Sequence, residues 1–204
     1  MKPWEIFFKE RTKQIFNEKK IILDIGGGLR VIKEKGNRYD AQREWIRSYI
    51  EKTDYKVLDV IDTYHPDIVG DIHALPLSNE SIEGLFAIAI LQHVEDPKQA
   101  FKEIHRVLAP GGYAFIYVPF LYYYHGEKGY YKDYWRYTED SLRLLAKDFS
   151  GVEIVNVRGA IETWIKISPL GRIGFLNDLA YLLDRLTGKL NSKQTSGYNV
   201  FLTK

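Results

Sequence analysis

Three acidic residues stand at or near the ends of short apolar runs that have the composition of buried β-strands. Asp24 lies in the run Ile-Ile-Leu-Asp-Ile, Asp59 ends the run Tyr-Lys-Val-Leu-Asp, and Asp71 follows Ile-Val-Gly. Gly26 and Gly28 come directly after the first run, and glycine lets a backbone turn sharply and approach a ligand closely. In an open parallel sheet, ligands lie outside the carboxyl ends of the strands, where the strand order reverses. We therefore predict that Asp24, Gly26 and Gly28 face a nucleoside-bearing cofactor.

The acid at the end of the second run has the chemistry to bind a ribose. In dinucleotide-binding folds, a carboxylate about 20 residues beyond the glycines accepts hydrogen bonds from the ribose hydroxyls. Asp59 follows Gly28 at a longer spacing than that, and Asp62 is a nearby rival for the role. Acids at the ends of three successive strands nevertheless indicate a ligand site rather than a set of unrelated turn caps.

Two histidines are the candidates for a general base. His93 follows the fourth apolar run, and His125 lies in a stretch rich in tyrosine. Histidine titrates near neutral pH and can accept a proton from a substrate. We predict His125 as the base and His93 as the second candidate; the alternative for His93 is a hydrogen-bonded structural role.

The tyrosine-rich stretch also carries a predicted substrate site. Its rings could stack on a sugar or an aromatic acceptor, bind a cation through their faces, or pack as a lid. Tyr124 is the predicted contact among them. Asp133 and Arg136 either pair with each other and pin this loop, or Arg136 binds a phosphate or carboxylate of the substrate. Both residues are therefore substrate-binding candidates.

Composition and motif content exclude several classes of function. The 204 residues include no cysteine, and the remaining histidines have no ligand spacing, so we expect no metal site. A net charge of +2 gives no bulk electrostatic basis for binding nucleic acid. A phosphate-binding loop ending in Lys-Ser or Lys-Thr is absent from the sequence. Because charged residues interrupt the N-terminus and no apolar run reaches about 18 residues, we predict a cytoplasmic protein without a spanning helix.

Apolar runs alternate with helical patterns, which is typical of an α/β fold built on a parallel sheet. After the first strand, the predicted strands are 55–60, 68–70, 84–90, 113–118, 152–157 and 197–202. The predicted helices include 3–18, 97–108 and 139–147. No helix pattern follows the seventh strand, so we expect it to run antiparallel to the rest. Asp40 is the predicted N-cap of a further helix, after an irregular segment over 29–39.

An insertion over residues 160–195 separates the last two predicted strands within a single domain of residues 1–204. It carries an apolar stripe at helical spacing, made by Ile173, Leu176, Leu179, Ala180, Leu183, Leu186 and Leu190. Such a stripe is typical of a helix that packs on the substrate cleft or in a homodimer interface. The less favoured alternative is a membrane-surface helix, because little basic charge accompanies the stripe.

Several segments, in their order and spacing, resemble the class I S-adenosylmethionine-dependent methyltransferases. They are similar to the small bacterial "methyltransferase domain 11" type, and the matching segments are 22–28, 69–71 with 75–76, 91–94 and 106–112. Arg30 stands where the superfamily often has a third glycine, and Val31 stands where the dinucleotide fingerprint has Gly or Ala. We interpret both as favouring a methyltransferase over a dehydrogenase. A later motif, 124–126 with 133–138, resembles a subgroup associated with surface-polysaccharide and related small-molecule biosynthesis.

The resemblance implies a fold, a cofactor and an activity. The implied fold is a Rossmann-like, doubly wound, seven-stranded and mostly parallel sheet with an antiparallel last strand. For S-adenosyl-L-methionine, the resemblance implies that Asp24, Gly26 and Gly28 contact the amino-acid end and that Asp59 binds the ribose. It also implies that Asp71 and Ile72 contact the adenine, and that Leu91 and Gln92 lie near the sulfur. The implied function is methyl transfer to a small-molecule acceptor, for which a sugar-containing molecule is one candidate. The alternative is a regulatory protein that binds the cofactor without catalysis.

Overall fold

The computed structural model describes residues 1–34 and 39–204, so Lys35, Gly36, Asn37 and Arg38 of the predicted irregular segment lie outside the described residues. The strands are β1 (Ile21–Ile25), β2 (Asp54–Asp59), β3 (Ile68–Val69), β4 (Ile82–Ile88), β5 (Leu108–Pro119), β6 (Gly151–Val157) and β7 (Gly197–Thr203). The α-helices are α1 (Pro3–Glu18), α2 (Arg47–Ile50), α3 (Pro97–Val107), α4 (Glu139–Leu145), α5 (Ala160–Ile167) and α6 (Gly174–Leu186).

The strands form one sheet with the order β3-β2-β1-β4-β5-β7-β6. Neighbours from β3 through β5 pair in parallel, whereas β7 pairs antiparallel with both β5 and β6. The predicted α/β fold with an antiparallel last strand is thus confirmed. The order reverses between β1 and β4, and in such sheets the crevice beyond the carboxyl ends at the reversal is the usual ligand site.

Buried side chains alternate between the two faces of the sheet, because successive residues of a strand point in opposite directions. On one face, Ile22 and Phe86 join Phe16 of α1 in a buried aromatic and aliphatic cluster. On the other face, Leu23 and Leu85 join a larger cluster that includes α3 and α4. The central strands are therefore covered on both sides, which fixes their carboxyl ends as a rigid platform.

Local sequence signals explain where the helices near that platform begin. Asp96 accepts a hydrogen bond from the backbone N–H of Gln99 and is followed by Pro97 at the first helical position of α3. Thr138 caps α4 in the same way through the N–H of Ser141. Asp40 also acts as an N-cap, as predicted, although the helix after it begins as a 3-10 turn over Ala41–Ile46 before α2.

The strand β5 is longer than its apolar run predicts. Leu108 already pairs with Ile82, and the register then shifts before Tyr113 pairs with Gly84. Residues 110–112 are therefore an irregularity within the strand rather than a connection that precedes it.

Candidate active site

A cavity of about 1200 Å³ lies outside the carboxyl ends of β1, β2, β4 and β5. Gly26, Gly28 and Asp59 belong to one part of its wall, and His93 and His125 belong to another. The strand ends and the tyrosine-rich loop thus share a single space, which is large enough for two small molecules side by side.

The glycine loop after β1 is held from below by Asp24. The buried carboxylate of Asp24 accepts hydrogen bonds from the N–H groups of Gly28 (3.0 Å) and Leu29 (2.9 Å) and from the hydroxyl of Tyr55 (2.7 Å). Burial raises the pKa of Asp24 to about 6, although these hydrogen bonds act in the opposite direction. Gly26 has a φ of +75°, a left-handed conformation that favours glycine. Asp24 therefore orders the loop but does not itself lie on the cavity wall.

Arg43 holds the same loop from its other side and was not among the predicted residues. Its guanidinium donates to the carbonyl oxygen of Gly28 (2.6 Å) and forms an ion pair with Asp40 (3.4 Å). Sequence offers no local signal for this contact, since the two segments are joined by an irregular stretch whose path the residues do not specify. Tyr55 was missed as a site residue for the same reason, because only the fold brings it under Asp24.

The predicted ribose and adenine contacts lie along the wall beyond the glycine loop. Asp59, the last residue of β2, is half-buried at the cavity. Burial raises its pKa above the usual value, although hydrogen bonds from the N–H groups of Ile61 and Val60 act in the opposite direction. Asp71 caps a short turn and accepts two hydrogen bonds from His73 on the same oxygen. Ile72 is buried and presents an apolar surface to the cavity.

Leu91 and Gln92 differ in their position although they are adjacent. Leu91 is fully buried in the core, where its carbonyl oxygen accepts a hydrogen bond from the hydroxyl of Tyr137 (2.7 Å). Gln92 is also buried but borders the cavity. Within the described part of the chain, its Oε1 atom is buried and has no hydrogen-bond partner.

His93 and His125 lie side by side on the cavity wall, with ring centroids 5.0 Å apart. Nδ1 of His93 is 2.7 Å from the carbonyl oxygen of Lys132, and Nδ1 of His125 is 3.3 Å from that of Tyr123. Because a carbonyl oxygen only accepts, each Nδ1 carries a hydrogen and each neutral ring keeps a lone pair on Nε2. Burial lowers the pKa of His93 and so favours its neutral form, although the hydrogen bond to the carbonyl oxygen of Lys132 acts in the opposite direction.

Gln92 contacts both of these lone pairs. Its Nε2 atom is 3.0 Å from Nε2 of His93 and 3.1 Å from Nε2 of His125. The same amide nitrogen donates one hydrogen to the carbonyl oxygen of Ala89 (2.7 Å). Since a side-chain amide has two hydrogens, only one remains for the two imidazoles. When both rings are neutral, one of the two Nε2 lone pairs therefore receives no hydrogen from Gln92.

Asp133 and Arg136 form an ion pair that holds the tyrosine-rich loop in place. Arg136 forms a two-point ion pair with Asp133, at 2.6 and 2.7 Å. Its remaining N–H groups go to the carbonyl oxygens of Tyr122, Tyr123 and Trp135. All five donors of the guanidinium are thus engaged within the loop, which matches the first of the two predicted alternatives.

Asp133 also faces His125. It accepts a hydrogen bond from the backbone N–H of His125 (2.9 Å), and its Oδ2 atom is 3.3 Å from the Nδ1 atom of that ring. Burial raises the pKa of Asp133, but Arg136 and the His125 N–H outweigh it and hold the pKa at about 2. A permanently ionised carboxylate therefore lies behind His125.

Tyrosines line the part of the cavity nearest the histidines. Tyr124 lies on the wall and is largely exposed, and Tyr131 packs on the ring of His93 with centroids 4.3 Å apart. Tyr130 stacks on Tyr64, which follows β2, with centroids 6.2 Å apart. This stacked pair joins the loop to the ribose side of the cavity, and Tyr64 was not predicted. Among the described residues, no group of three or more His, Cys, Asp or Glu is placed to hold a metal ion.

Comparison with known sequences finds partial matches to methyltransferases. The family model described as "Methyltransferase domain" matches residues 38–116. An uncharacterised 37.1 kDa protein in transposon TN4556 of Streptomyces fradiae is 54% identical over 44 residues, which are 22% of this chain and 13% of that protein. Sterol methyltransferase-like 1 of Botryococcus braunii is 34% identical over 62 residues, which are 30% of this chain and 16% of that protein. The chain therefore matches only a small part of the length of either curated relative.

Comparison with solved structures supplies the fold. A SAM-dependent methyltransferase from Archaeoglobus fulgidus is similar with a TM-score of 0.59 and 14% identity, covering 96% of this chain and 90% of that one. One from Mesorhizobium loti has a TM-score of 0.55 and 17% identity, with 96% of each chain covered. Haemonchus contortus phosphoethanolamine N-methyltransferase 2, in complex with S-adenosyl-L-methionine, has a TM-score of 0.50 and 14% identity, covering 95% of this chain and 52% of that one.

The match to a methyltransferase family model over residues 38–116 agrees with the resemblance that the sequence motifs predicted, and the solved structures share the fold. Within the described residues, no helix combines the length and apolar character needed to cross a bilayer.

Proposed function

We propose that this chain transfers the methyl group of S-adenosylmethionine to a small-molecule acceptor held between the tyrosines and the histidine pair. The observation that carries the proposal is the single cavity that joins the glycine loop and Asp59 to His93 and His125. A methyltransferase must hold two molecules next to each other, and its main contribution to an in-line displacement is their orientation.

The residues on the cavity wall fit the cofactor. The carboxylate of Asp59 only accepts hydrogen bonds, so it suits a pair of ribose hydroxyls. Ile72 offers an apolar surface for adenine, and the loop ordered by Asp24 brings main-chain groups to the wall at Gly26 and Gly28. When bound, S-adenosylmethionine supplies a methyl group attached to a positively charged sulfur.

His125 is the proposed base. Its open lone pair on Nε2 accepts a proton from the acceptor, and the ionised Asp133 on the other side of the ring stabilises the resulting imidazolium. Gln92 can release His125 by donating its second hydrogen to His93 instead, since the two distances are nearly equal.

The acceptor that we propose has hydroxyl groups and an apolar face. Tyrosine rings pack on apolar faces and keep a polar hydroxyl for hydrogen bonds, so the wall around Tyr122, Tyr124 and Tyr130 suits a sugar or an aromatic alcohol. The engaged guanidinium of Arg136 argues against its use as an anion-binding group. Sugar-containing hydroxyl compounds are therefore the first acceptors to screen.

Isothermal titration with S-adenosylmethionine and S-adenosylhomocysteine tests cofactor binding, with two matched variants. Asp59→Asn removes a charged acceptor worth about 1.5–3 kcal/mol, so we expect its affinity to fall about 10- to 100-fold. Asp62→Asn makes the same change at an exposed position a few residues away and should bind like the parent. No binding by the folded parent protein, or equal weakening in both variants, would contradict the proposal.

Release of S-adenosylhomocysteine in the presence of hydroxyl and amine acceptors tests turnover. We expect His125→Asn to lower kcat by at least about 100-fold at unchanged cofactor affinity, as is typical when a general base is lost. The control is His65→Asn, at an exposed histidine with a left-handed conformation that asparagine tolerates. Tight cofactor binding without turnover of any acceptor would favour the regulatory alternative.

A further inference from the structure

The helix α6 presents its large apolar side chains to solvent. Phe175, Leu179, Leu182 and Leu186 follow each other at spacings of four, three and four residues, which places them on one face of the helix. Phe175 is 70% exposed and Leu186 is 72% exposed. Of these four residues, Leu179 and Leu186 belong to the predicted stripe, and their exposure shows that these two side chains do not pack on the substrate cleft.

The side of α6 that faces the protein carries Ala180 and Asp184, its two buried residues. Asp184 is buried and accepts hydrogen bonds from the N–H groups of Ile161 and Glu162 at the start of α5. Tyr181 packs edge-on against Trp4 of α1, with ring centroids 5.9 Å apart. These contacts fix the rotation of the helix, so α6 cannot roll to bury its leucines without losing the cap of α5.

The exposed apolar face extends beyond α6. Trp164 of α5 is 63% exposed, and Leu170 and Ile173 in the connection between the two helices are also exposed. We name the outer surface (Trp164, Leu170, Ile173, Phe175, Leu179, Leu182, Leu186) the apolar face. Seven exposed apolar side chains within two packed helices and their connection indicate an interaction surface rather than isolated exposed residues.

The charges around the apolar face are mainly positive. Arg172, Arg185 and Lys189 are exposed, and Lys166 is partly exposed. The acidic residues of this segment are Glu162, Asp178 and Asp184, and of these Glu162 and Asp184 are buried. Two copies of the face would bring like charges together, whereas an anionic lipid surface would complement them.

The apolar face lies at the cavity edge of the sheet. Strand β6 runs in the same direction as β5, and its last residue, Val157, is aligned through Gly197 with Pro119 at the end of β5. The hydroxyl of Tyr123 also donates to the carbonyl oxygen of Lys166 at 3.1 Å, so α5 is joined to the tyrosine-rich loop.

From these observations we infer that the apolar face of α5 and α6 docks on an anionic bilayer surface. The side chains of Phe175, Leu182 and Leu186 enter the boundary between headgroups and acyl chains, and the surrounding Arg and Lys side chains contact lipid phosphates. At about 20 Å, α6 is suited to lie in the plane of the interface. This inference does not depend on the proposed enzymatic activity.

Co-sedimentation of the full chain with vesicles tests this inference. We expect binding to vesicles of equal parts phosphatidylglycerol and phosphatidylcholine, little binding to phosphatidylcholine alone, and weaker binding as salt is raised. Arg172→Glu/Lys189→Glu should weaken binding to the anionic vesicles by about tenfold or more. Phe175→Ser/Leu182→Ser should weaken binding to a similar extent, whereas Leu144→Ser, at a 70% exposed leucine on α4, should bind like the parent.

The opposite outcomes are equally clear. Failure of the parent protein to bind anionic vesicles would overturn the inference, as would unchanged binding by the charge-reversal variant, whose substitutions lie at exposed positions and spare the core. Light scattering without lipid addresses a second copy as the occupant. A dimer of the parent chain that Phe175→Ser/Leu182→Ser converts to a monomer would also overturn the inference.

Discussion

A fully buried carboxylate beneath a ligand-binding loop contributes to stability in a way that depends on pH. Asp24 orders the glycine loop through hydrogen bonds to Gly28 and Leu29, yet its burial raises its pKa to about 6 from 3.8. The folded protein therefore resists ionisation of Asp24 over a pH range in which the unfolded chain ionises freely. It follows that the loop is held at a cost in stability at neutral pH.

We predict that this cost can be measured with Asp24→Asn. Well below the unfolded pKa of 3.8 the parent carboxyl is protonated in both states, so its contribution is fully retained; the contribution is lost as the pH rises from there through the folded pKa of about 6. The shift corresponds to about 3 kcal/mol. The free energy of unfolding by urea, compared between parent and variant from pH 4 to pH 7, should fall for the parent by about that amount relative to Asp24→Asn.

A second variant distinguishes this explanation from an effect of pH on the protein as a whole. Tyr55→Phe removes a hydrogen bond that lowers the pKa of Asp24, so the fall in stability should extend to higher pH. A difference between parent and Asp24→Asn that stays constant across the whole pH range would contradict the account.

At the scale of elements, the close approach between the loop after β1 and the end of β4 explains why residue 28 is a glycine. A Cβ atom on Gly28 would lie 2.7 Å from both the Cβ atom and the carbonyl oxygen of Ile88, the last residue of β4. Backbone atoms of a central strand cannot move aside without disturbing the sheet. Gly28 is therefore required by the packing of the platform as well as by the proposed ligand.

We predict that Gly28→Ala lowers the free energy of unfolding by about 1–3 kcal/mol, the usual range for overpacking. The matched control is Gly174→Ala at the start of α6, where an added Cβ atom meets nothing within 4 Å. That variant should be neutral or more stable by less than about 1 kcal/mol, because alanine favours helix. Urea denaturation of both variants measures the difference, and equal stabilities would refute the steric argument.

The sequence could predict features that depend on local patterns, but not contacts between segments that lie far apart in the chain. The apolar runs and the acids that follow them are local patterns: the strands form at the runs, and Asp59 and Asp71 lie on the cavity wall, whereas Asp24 lies beneath the glycine loop. The contacts of Arg43 with Gly28 and of Asp133 with His125 depend on the paths of irregular loops, which no local pattern specifies. The sequence showed that α6 carries an apolar stripe, but it did not show which side of the helix faces the protein.

At the scale of the whole molecule, the last strand is a central one. All residues of β7 except its last are buried, and it pairs along its full length with both β5 and β6. In contrast, β3 lies at the opposite edge and pairs with β2 at two positions. The sheet is therefore complete only when the end of the chain has inserted between two strands formed earlier in the sequence.

This arrangement predicts the order of amide hydrogen exchange. Amides of β7 should exchange only through global unfolding, and those of β3 should exchange faster by orders of magnitude, because opening free energies range from near zero at edges to the full stability in the core. Exchange measured by mass spectrometry on the unmodified chain provides its own control, since both strands are followed in one sample. If β6, β7 and the α5–α6 pair instead exchanged early as a group, that group would be a separately opening unit, and the sheet would not be one cooperative structure.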